Sequence, residues 1–149
     1  MSFVGTFTNK LDAKGRVSIP APFRQVLAEQ GTQGVFCIPT VERNALESFG
    51  AALMAEFDEW LKGHSAIMDS DYDAKAQIVF GENQFLGFDD EGRVRLPDSL
   101  TLLAGITDRV TFNGLGRKFQ IWDPERYESE RRARLERAMV LRRGNGGAA

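Results

Sequence analysis

Polar and apolar residues alternate at the start of the chain and predict a strand, a tight turn and a second strand. Positions 4–8 alternate with the period of a strand that buries one face. Asp12 and Gly15 then predict a turn, because Asp bonds to the backbone two residues on and Gly adopts positive φ. In the segment 16–19 the two apolar residues face a core and the two polar residues face outward. Pro20 ends the strand because it cannot donate to the ladder.

The same unit occurs twice. Leu11–Pro20 aligns without gaps with Phe88–Pro97, so that Asp12 corresponds to Asp89 and every other position is shifted by the same number of residues. Half of the aligned positions are identical, and these include the glycine of the turn and the proline that ends the strand. Such self-similarity indicates duplication of one supersecondary unit.

A short helix and further strands are predicted after each copy. Each helix has an apolar face and ends at a glycine; these are Phe23, Val26 and Leu27 before Gly31, and Leu100 and Leu103 before Gly105. Asp98 is expected to be the N-cap of the second helix. Strand-like runs follow at Val35–Ile38, Val110–Phe112 and Phe119–Trp122, the last two around a turn at Asn113–Gly116.

Helical spacing describes the rest of the chain. Two amphipathic helices are predicted on either side of Gly63 and His64, with apolar residues at Leu46, Phe49, Leu53, Phe57, Trp60 and Leu61, and at Ile67, Met68, Tyr72, Ala76 and Val79. Asp123 and Pro124 predict the start of a last helix that runs to about Leu141, before a tail that begins at Gly144. The chain thus divides into a first repeat at 5–52, an acidic helical linker at 53–82, a second repeat at 83–126, and a C-terminal helix and disordered tail at 127–149.

Composition and charge narrow the choice of function. Of 149 residues, 42% are hydrophobic and 27% are charged, as in a globular protein. No apolar run approaches the ~20 residues of a membrane span, and residues 1–10 do not resemble a secretory signal, so we expect a cytoplasmic protein with no membrane partner. Cys37 lies between apolar neighbours and is expected in the core.

The formal net charge of −2 argues against a nucleic-acid binder, but its distribution does not. Residues 35–87 carry three basic and nine acidic side chains, whereas the flanking segments 1–34 and 88–149 are each mildly basic. Local potential matters more for attracting DNA than the sum over the chain.

Asp-x-x-Gly-Arg followed by apolar-x-apolar-Pro resembles the turn and strand of the SpoVT/AbrB-like swapped-hairpin family. Two copies around an acidic helical segment resemble the MraZ transcriptional regulator family, as do Phe3–Phe7 and Phe119–Trp122. The resemblance implies an α+β fold. In it, two repeats would interleave into a mainly-β swapped-hairpin (double-split) barrel with flanking amphipathic helices.

The resemblance also implies a function. A homo-oligomeric ring would bind double-stranded DNA at short repeated boxes in a promoter upstream of the division and cell-wall gene cluster, its own gene included, and would associate with the nucleoid. The DNA-contacting Asp-x-x-x-Arg motif maps onto Asp12 with Arg16 and onto Asp89 with Arg93. The second turn is acidic at 89–91, where the first has Lys14, and this departure bears on whether both turns bind DNA equally.

The motif suits DNA chemically. An arginine on a strand after a tight turn projects outward, and its planar fork grips a phosphate or reads guanine. A two-stranded ribbon fits the major groove. The expected DNA contacts are Arg16 and Arg93, with phosphate contacts from Lys10, Lys14, Arg24 and Arg95. The residues expected to brace the turns are Asp12, Gly15, Asp89 and Gly92.

Several alternatives stay open or are rejected. The Asp–Arg pairs could be inert surface ion pairs, and a ring-forming scaffold that binds a protein partner is the second hypothesis. We find no nucleophile or carboxylate pair typical of an enzyme, and expect no cofactor and no small-molecule substrate.

Asp69–Asp73 resembles the start of a calcium loop but has Ala74 where glycine is needed, and His64 has no nearby Cys, so no metal is expected. The arginines after residue 125 alternate with glutamates, which predicts a solvated, ion-paired helix face.

Overall fold

The computed structural model describes residues 1–147, in which eight strands and two of the five helices form two similar runs. The first run is β1 (Thr6–Lys10), β2 (Arg16–Ser18), α1 (Ala21–Glu29), β3 (Gly34–Pro39) and β4 (Leu46–Phe49). The second is β5 (Gln84–Gly87), β6 (Arg93–Arg95), α4 (Asp98–Ala104), β7 (Arg109–Gly114) and β8 (Phe119–Trp122). Between them lie α2 (Ala51–Lys62), α3 (Ser70–Ala76) and a π-helical turn (Gln77–Gly81), and α5 (Pro124–Gly147) follows. The α+β class is confirmed.

The two runs exchange strands. β1 of the first run pairs with β7 of the second, and β5 of the second pairs with β3 of the first, all antiparallel. The resulting sheet has the order β1-β7-β8-β4-β3-β5, which reads the same when the runs are interchanged. β2 and β6 form a separate two-stranded ribbon with Val17 opposite Val94. Among the described residues these pairings give an open sheet and a ribbon, and no pairing closes them into the barrel that the resemblance implied.

The core lies between the sheet, the ribbon and helices α1 and α4, and both runs contribute to it. Phe23 of α1 is fully buried, and its ring lies 4.8 Å from that of Phe119 on β8 and 5.4 Å from that of Phe3. Aromatic pairs at these separations add to the stabilisation from burial. Cys37 is buried as expected, and burial raises the pKa of its thiol to about 12. Neither run could bury this cluster alone.

Three predictions about the elements are wrong. Leu46 and Phe49 belong to strand β4 rather than to a helix, because β4 pairs between β3 and β8 and α2 begins only after Gly50. Asp98 is the first residue of α4 and makes no capping bond; Pro97 occupies the N-cap position. Ile67 and Met68 are exposed and precede α3, because the Asp69 carboxylate accepts bonds from Asp71 N and Tyr72 N and so starts the helix there.

The last helix begins as predicted but ends later. The Asp123 carboxylate accepts a bond from Arg126 N, which caps the helix that starts at Pro124. α5 continues to Gly147, past the predicted end at Leu141, and the rest of the predicted tail, residues 148–149, lies outside the described residues. No helix in the described part of the chain has the length and apolarity needed to cross a bilayer.

Candidate nucleic-acid interface

The β2–β6 ribbon has one apolar and one polar face. Val17 and Val94 lie directly opposite each other, and both are buried in the core. Successive side chains of a strand point to opposite faces. The flanking pairs, Arg16 opposite Arg95 and Ser18 opposite Arg93, therefore belong to the outer face.

The first turn is held by Asp12. One carboxylate oxygen accepts bonds from Lys14 N and Arg16 N, each at 2.9 Å. The other accepts a bond from Arg16 Nε at 2.6 Å, so the same side chain fixes the turn and the arginine that follows. Gly15 has φ +78°, which a residue with a Cβ adopts only at a cost. This geometry restricts Arg16 to a narrow range of orientations.

The second turn repeats this arrangement. Asp89 accepts bonds from Glu91 N at 2.9 Å, Arg93 N at 3.0 Å and Arg93 Nε at 2.9 Å. Gly92 has φ +74°. Two equivalent turns of this precision in one chain give two fixed guanidinium groups on one ribbon.

Hydrogen bonds at the turns keep both carboxylates ionised. The backbone bond from Arg16 N is the largest cause that lowers the pKa of Asp12 below its ordinary value, and the Arg16 side chain adds to it. The equivalent bond from Arg93 N lowers the pKa of Asp89 in the same way. The side-chain bond to Asp89 raises the pKa of Arg93. Each turn therefore keeps its aspartate ionised to a lower pH than an aspartate without these bonds.

The other predicted contact residues lie in different surroundings. Lys10, Lys14 and Arg95 are exposed near the ribbon. Arg24 is half-buried: its Nη1 donates to Ile19 O at 3.1 Å, and its side chain lies against Gly92. The structure therefore places Arg24 as a support of the second turn rather than as a free basic arm.

Sequence reasoning missed one basic residue beside the ribbon. Arg109 is exposed at the start of β7, and the register places it opposite Lys10 of β1. No local signal could have found it, because the two residues are far apart in sequence and only the strand exchange brings them together.

Comparison with known proteins identifies the family. A family model described as "MraZ protein, putative antitoxin-like" matches residues 2–49 and 79–139, which include both turns and all eight strands. The chain belongs to the MraZ family. The residues outside the match include all of α2 and α3, so the shared part is the pair of exchanging repeats.

Relatives named as the transcriptional regulator MraZ extend over almost the whole chain. The protein of Xanthobacter autotrophicus is 43% identical over 147 residues, which cover 99% of this chain and 93% of that protein. The relative from Azorhizobium caulinodans is 44% identical, and the match covers 97% of this chain and 91% of that protein. The relative from Parvibaculum lavamentivorans is 46% identical, and the match covers 85% of this chain and 78% of that protein.

Several arginines on the last helix of this MraZ-family chain are paired with glutamates. On α5, Arg131 and Arg132 each lie 3.5 Å from Glu128, and Arg134 Nε donates to Glu130 at 3.1 Å. The prediction of an ion-paired helix face is confirmed for these residues. In the part of the chain described, no three His, Cys, Asp or Glu side chains converge as a metal site would require.

Proposed function

We propose that this chain is a sequence-specific DNA-binding transcriptional regulator that contacts duplex DNA with the outer face of the β2–β6 ribbon. The observation that carries the proposal is the pair of equivalent turns, each of which fixes an arginine through an Asp carboxylate. The family and the names of the relatives agree with it. The contact residues are Arg16 and Arg93, with Lys10, Lys14 and Arg95 at the phosphates.

The charge on the outer face favours an anionic ligand. Arg16 and Arg95 lie directly opposite each other on neighbouring strands, an arrangement in which like charges repel. A phosphate between them would relieve that repulsion. The bond to Asp12 engages Nε of Arg16, which leaves the two terminal nitrogens for a phosphate or for guanine O6 and N7. A ribbon of two strands has the width that the major groove accepts.

Repeated boxes and a ring complete the proposal. One ribbon offers few contacts, so a single chain should bind weakly, and several chains joined together would gain affinity by effective concentration on repeated boxes. We infer, from the family, a homo-oligomeric ring on boxes upstream of the division and cell-wall gene cluster and of its own gene. That role places the protein at the nucleoid in the cytoplasm.

Exposed apolar surface supports self-association. An apolar groove of about 360 Å³ lies between α2 and the segment of α3 and the π-helical turn, and its lining includes Phe57, Trp60 and Val79. Phe80 also lines the groove and is 41% exposed, and Phe85 on the edge strand β5 is 52% exposed. Apolar side chains grouped in this way and free strand edges commonly mark contacts between chains. The palindromic strand order also suits the swapped-hairpin split barrel inferred from the family.

The first test replaces both fixed arginines. Fluorescence anisotropy would measure binding to a 40-base-pair duplex (about four helical turns) from upstream of the protein's own reading frame, and to a shuffled duplex. We expect preference for the upstream duplex and weaker binding as salt rises, because phosphate contacts release counterions. The double variant Arg16→Ala/Arg93→Ala should weaken binding by about a hundred-fold or more, since each lost contact costs about 1–3 kcal/mol.

A matched control separates the site from general charge. Arg132→Ala also removes an exposed arginine from an i,i+4 ion pair, but on α5. It should bind DNA nearly as the wild type does. Normal binding by the double variant would refute the assigned site. If the wild type binds neither duplex at low salt, the scaffold hypothesis replaces that of a regulator.

A further inference from the structure

The two halves of the ribbon are related by the repeat but differ in charge. Lys14 in the first turn corresponds to Glu91 in the second, and the neutral residue before it, Ala13, corresponds to Asp90. On the strands, Ser18 corresponds to Arg95. Because the ribbon is antiparallel, Arg95 lies directly opposite Arg16, at the end of β6 that is farther from the second turn. The extra arginine of the second repeat therefore adds its charge to the first turn.

The neighbouring sheet strengthens this difference. Immediately before the first turn, Lys10 of β1 lies opposite Arg109 of β7. At the equivalent place before the second turn, Gly87 of β5 lies opposite Gly34 of β3. One half of the interface thus has a basic pair where the other half has two glycines.

The surroundings of the two fixed arginines also differ. Among the described residues, only Asp12 has a carboxylate within 4.0 Å of Arg16, and this carboxylate contacts Nε of the arginine. Arg93 contacts Asp89 through Nε at 2.9 Å, while its terminal nitrogens lie 3.7 Å from Glu91 and 4.0 Å from Asp12. A phosphate must compete with carboxylates for Arg93 but not for the terminal nitrogens of Arg16.

The groups around each turn therefore differ in net charge. Around the first turn the basic residues are Lys10, Lys14, Arg16, Arg95 and Arg109, and the acidic ones are Asp12 and Asp108. Around the second turn the basic residues are Arg24 and Arg93, and the acidic ones are Asp89, Asp90 and Glu91. The first half therefore attracts a phosphate backbone more strongly than the second half does.

We propose that each chain binds the DNA backbone through the first-turn half of its ribbon, with Arg95 and Arg109 as contacts supplied by the second repeat. The proposal rests on the DNA-binding function proposed above. Although the fold is nearly two-fold symmetric, the chain then has one strong and one weak half-site, and it contacts a duplex in one preferred orientation.

The test exchanges charges at equivalent positions. Lys14→Glu and Glu91→Lys each change the charge by two units, in opposite directions, at exposed positions of equivalent turns. Each substitution installs the residue that the other repeat carries at that place, so both turns should fold. All chains of an oligomer carry the same change, so the number of chains on the duplex affects both variants alike.

Anisotropy on the same upstream duplex would give affinity and salt dependence. Lys14→Glu should raise the Kd about ten-fold or more and reduce the magnitude of the slope of log K against log salt by about one for each chain that contacts the duplex, since each such chain loses one phosphate contact. Glu91→Lys should change the Kd less than about three-fold and leave the slope nearly as it was. Arg95→Ser should weaken DNA binding as Lys14→Glu does, whereas Ser18→Arg should leave the Kd nearly unchanged, as Glu91→Lys does.

The outcomes separate the two proposals. If Glu91→Lys strengthens binding by as much as Lys14→Glu weakens it, the halves act equally and the asymmetry is wrong. If neither variant changes binding while Arg16→Ala/Arg93→Ala abolishes it, the turns do not reach phosphates. The proposed asymmetry is then wrong, although the proposed DNA-binding function still holds. No binding of the wild type to the upstream duplex would defeat the proposed function itself.

Discussion

At the scale of single residues, Asp12 and Asp89 each perform two tasks with one carboxylate. One oxygen accepts the backbone amides that close the turn, and the other holds Nε of the arginine four residues on. An exposed ion pair alone contributes little to stability. Here the pair costs little additional entropy, because the turn already fixes the carboxylate.

The pKa of Asp12 predicts how the first turn responds to acid. Because its folded-state pKa is lowered, the carboxylate contributes stability that is present above its unfolded value and is lost as pH falls through the folded value. We expect carbon-detected NMR to give an Asp12 titration midpoint below the ordinary value of 3.8. The stability difference between wild type and Asp12→Asn should shrink over the same acid range. A midpoint at or above the ordinary value would show that the turn bonds do not stabilise the charge.

At the scale of elements, the ribbon links the two repeats through their turns. Leu96 N donates to Gly15 O at 2.9 Å, and Ile19 N donates to Gly92 O at 3.3 Å, so each turn is bonded to the strand end of the other repeat. A change in one turn therefore affects the position of the other strand. The two glycines matter because both turns require positive φ.

Gly15→Ala should destabilise the fold by about 1–2 kcal/mol, because its φ of +78° strains an L residue and the added Cβ would lie 3.3 Å from Leu96 O. Urea unfolding would measure the loss. Gly63→Ala is the matched control: its φ is −80° and its Cβ would meet an ordinary contact at 3.6 Å from Trp60 O. That variant should be unchanged or slightly more stable. Equal effects of both substitutions would contradict the assigned strain.

At the scale of the whole molecule, near-symmetry of the backbone coexists with asymmetry of the surface. The sheet order reads the same from either repeat, yet the acidic segment 35–87 and the two turns give the surface distinct positive and negative regions. Most of the residues that line the apolar groove at α2 lie outside the family match.

The double variant Phe80→Glu/Phe85→Glu should convert the proposed oligomer into smaller species in analytical ultracentrifugation, because it places charge in an apolar contact between chains. Leu102→Glu is a suitable control, since Leu102 is 80% exposed on α4, and it should leave the sedimentation unchanged. An unchanged oligomer in the Phe variant would place the contact on another surface. A monomeric wild type would exclude the ring.

The sequence alone determined what depends on nearby residues. Asp12, Gly15 and Pro20, with their counterparts in the second repeat, defined the turns and the strand ends, because those residue types restrict the backbone locally. The alternation at 16–19 correctly assigned Val17 to the core and Arg16 to the outer face. The duplication was visible because identical residues occur at equivalent positions of the two segments.

Only the tertiary structure decided what depends on pairing between distant segments. Leu46–Phe49 fits helical spacing by itself and becomes a strand because β3 and β8 offer it two partners. The exchange of β1 and β5 between repeats places Arg109 opposite Lys10, and the ribbon register places Arg95 opposite Arg16. Strand register is set by which faces are buried together, and that is a property of the whole fold. The motif was therefore readable in the sequence, whereas the charged surface around it required the fold.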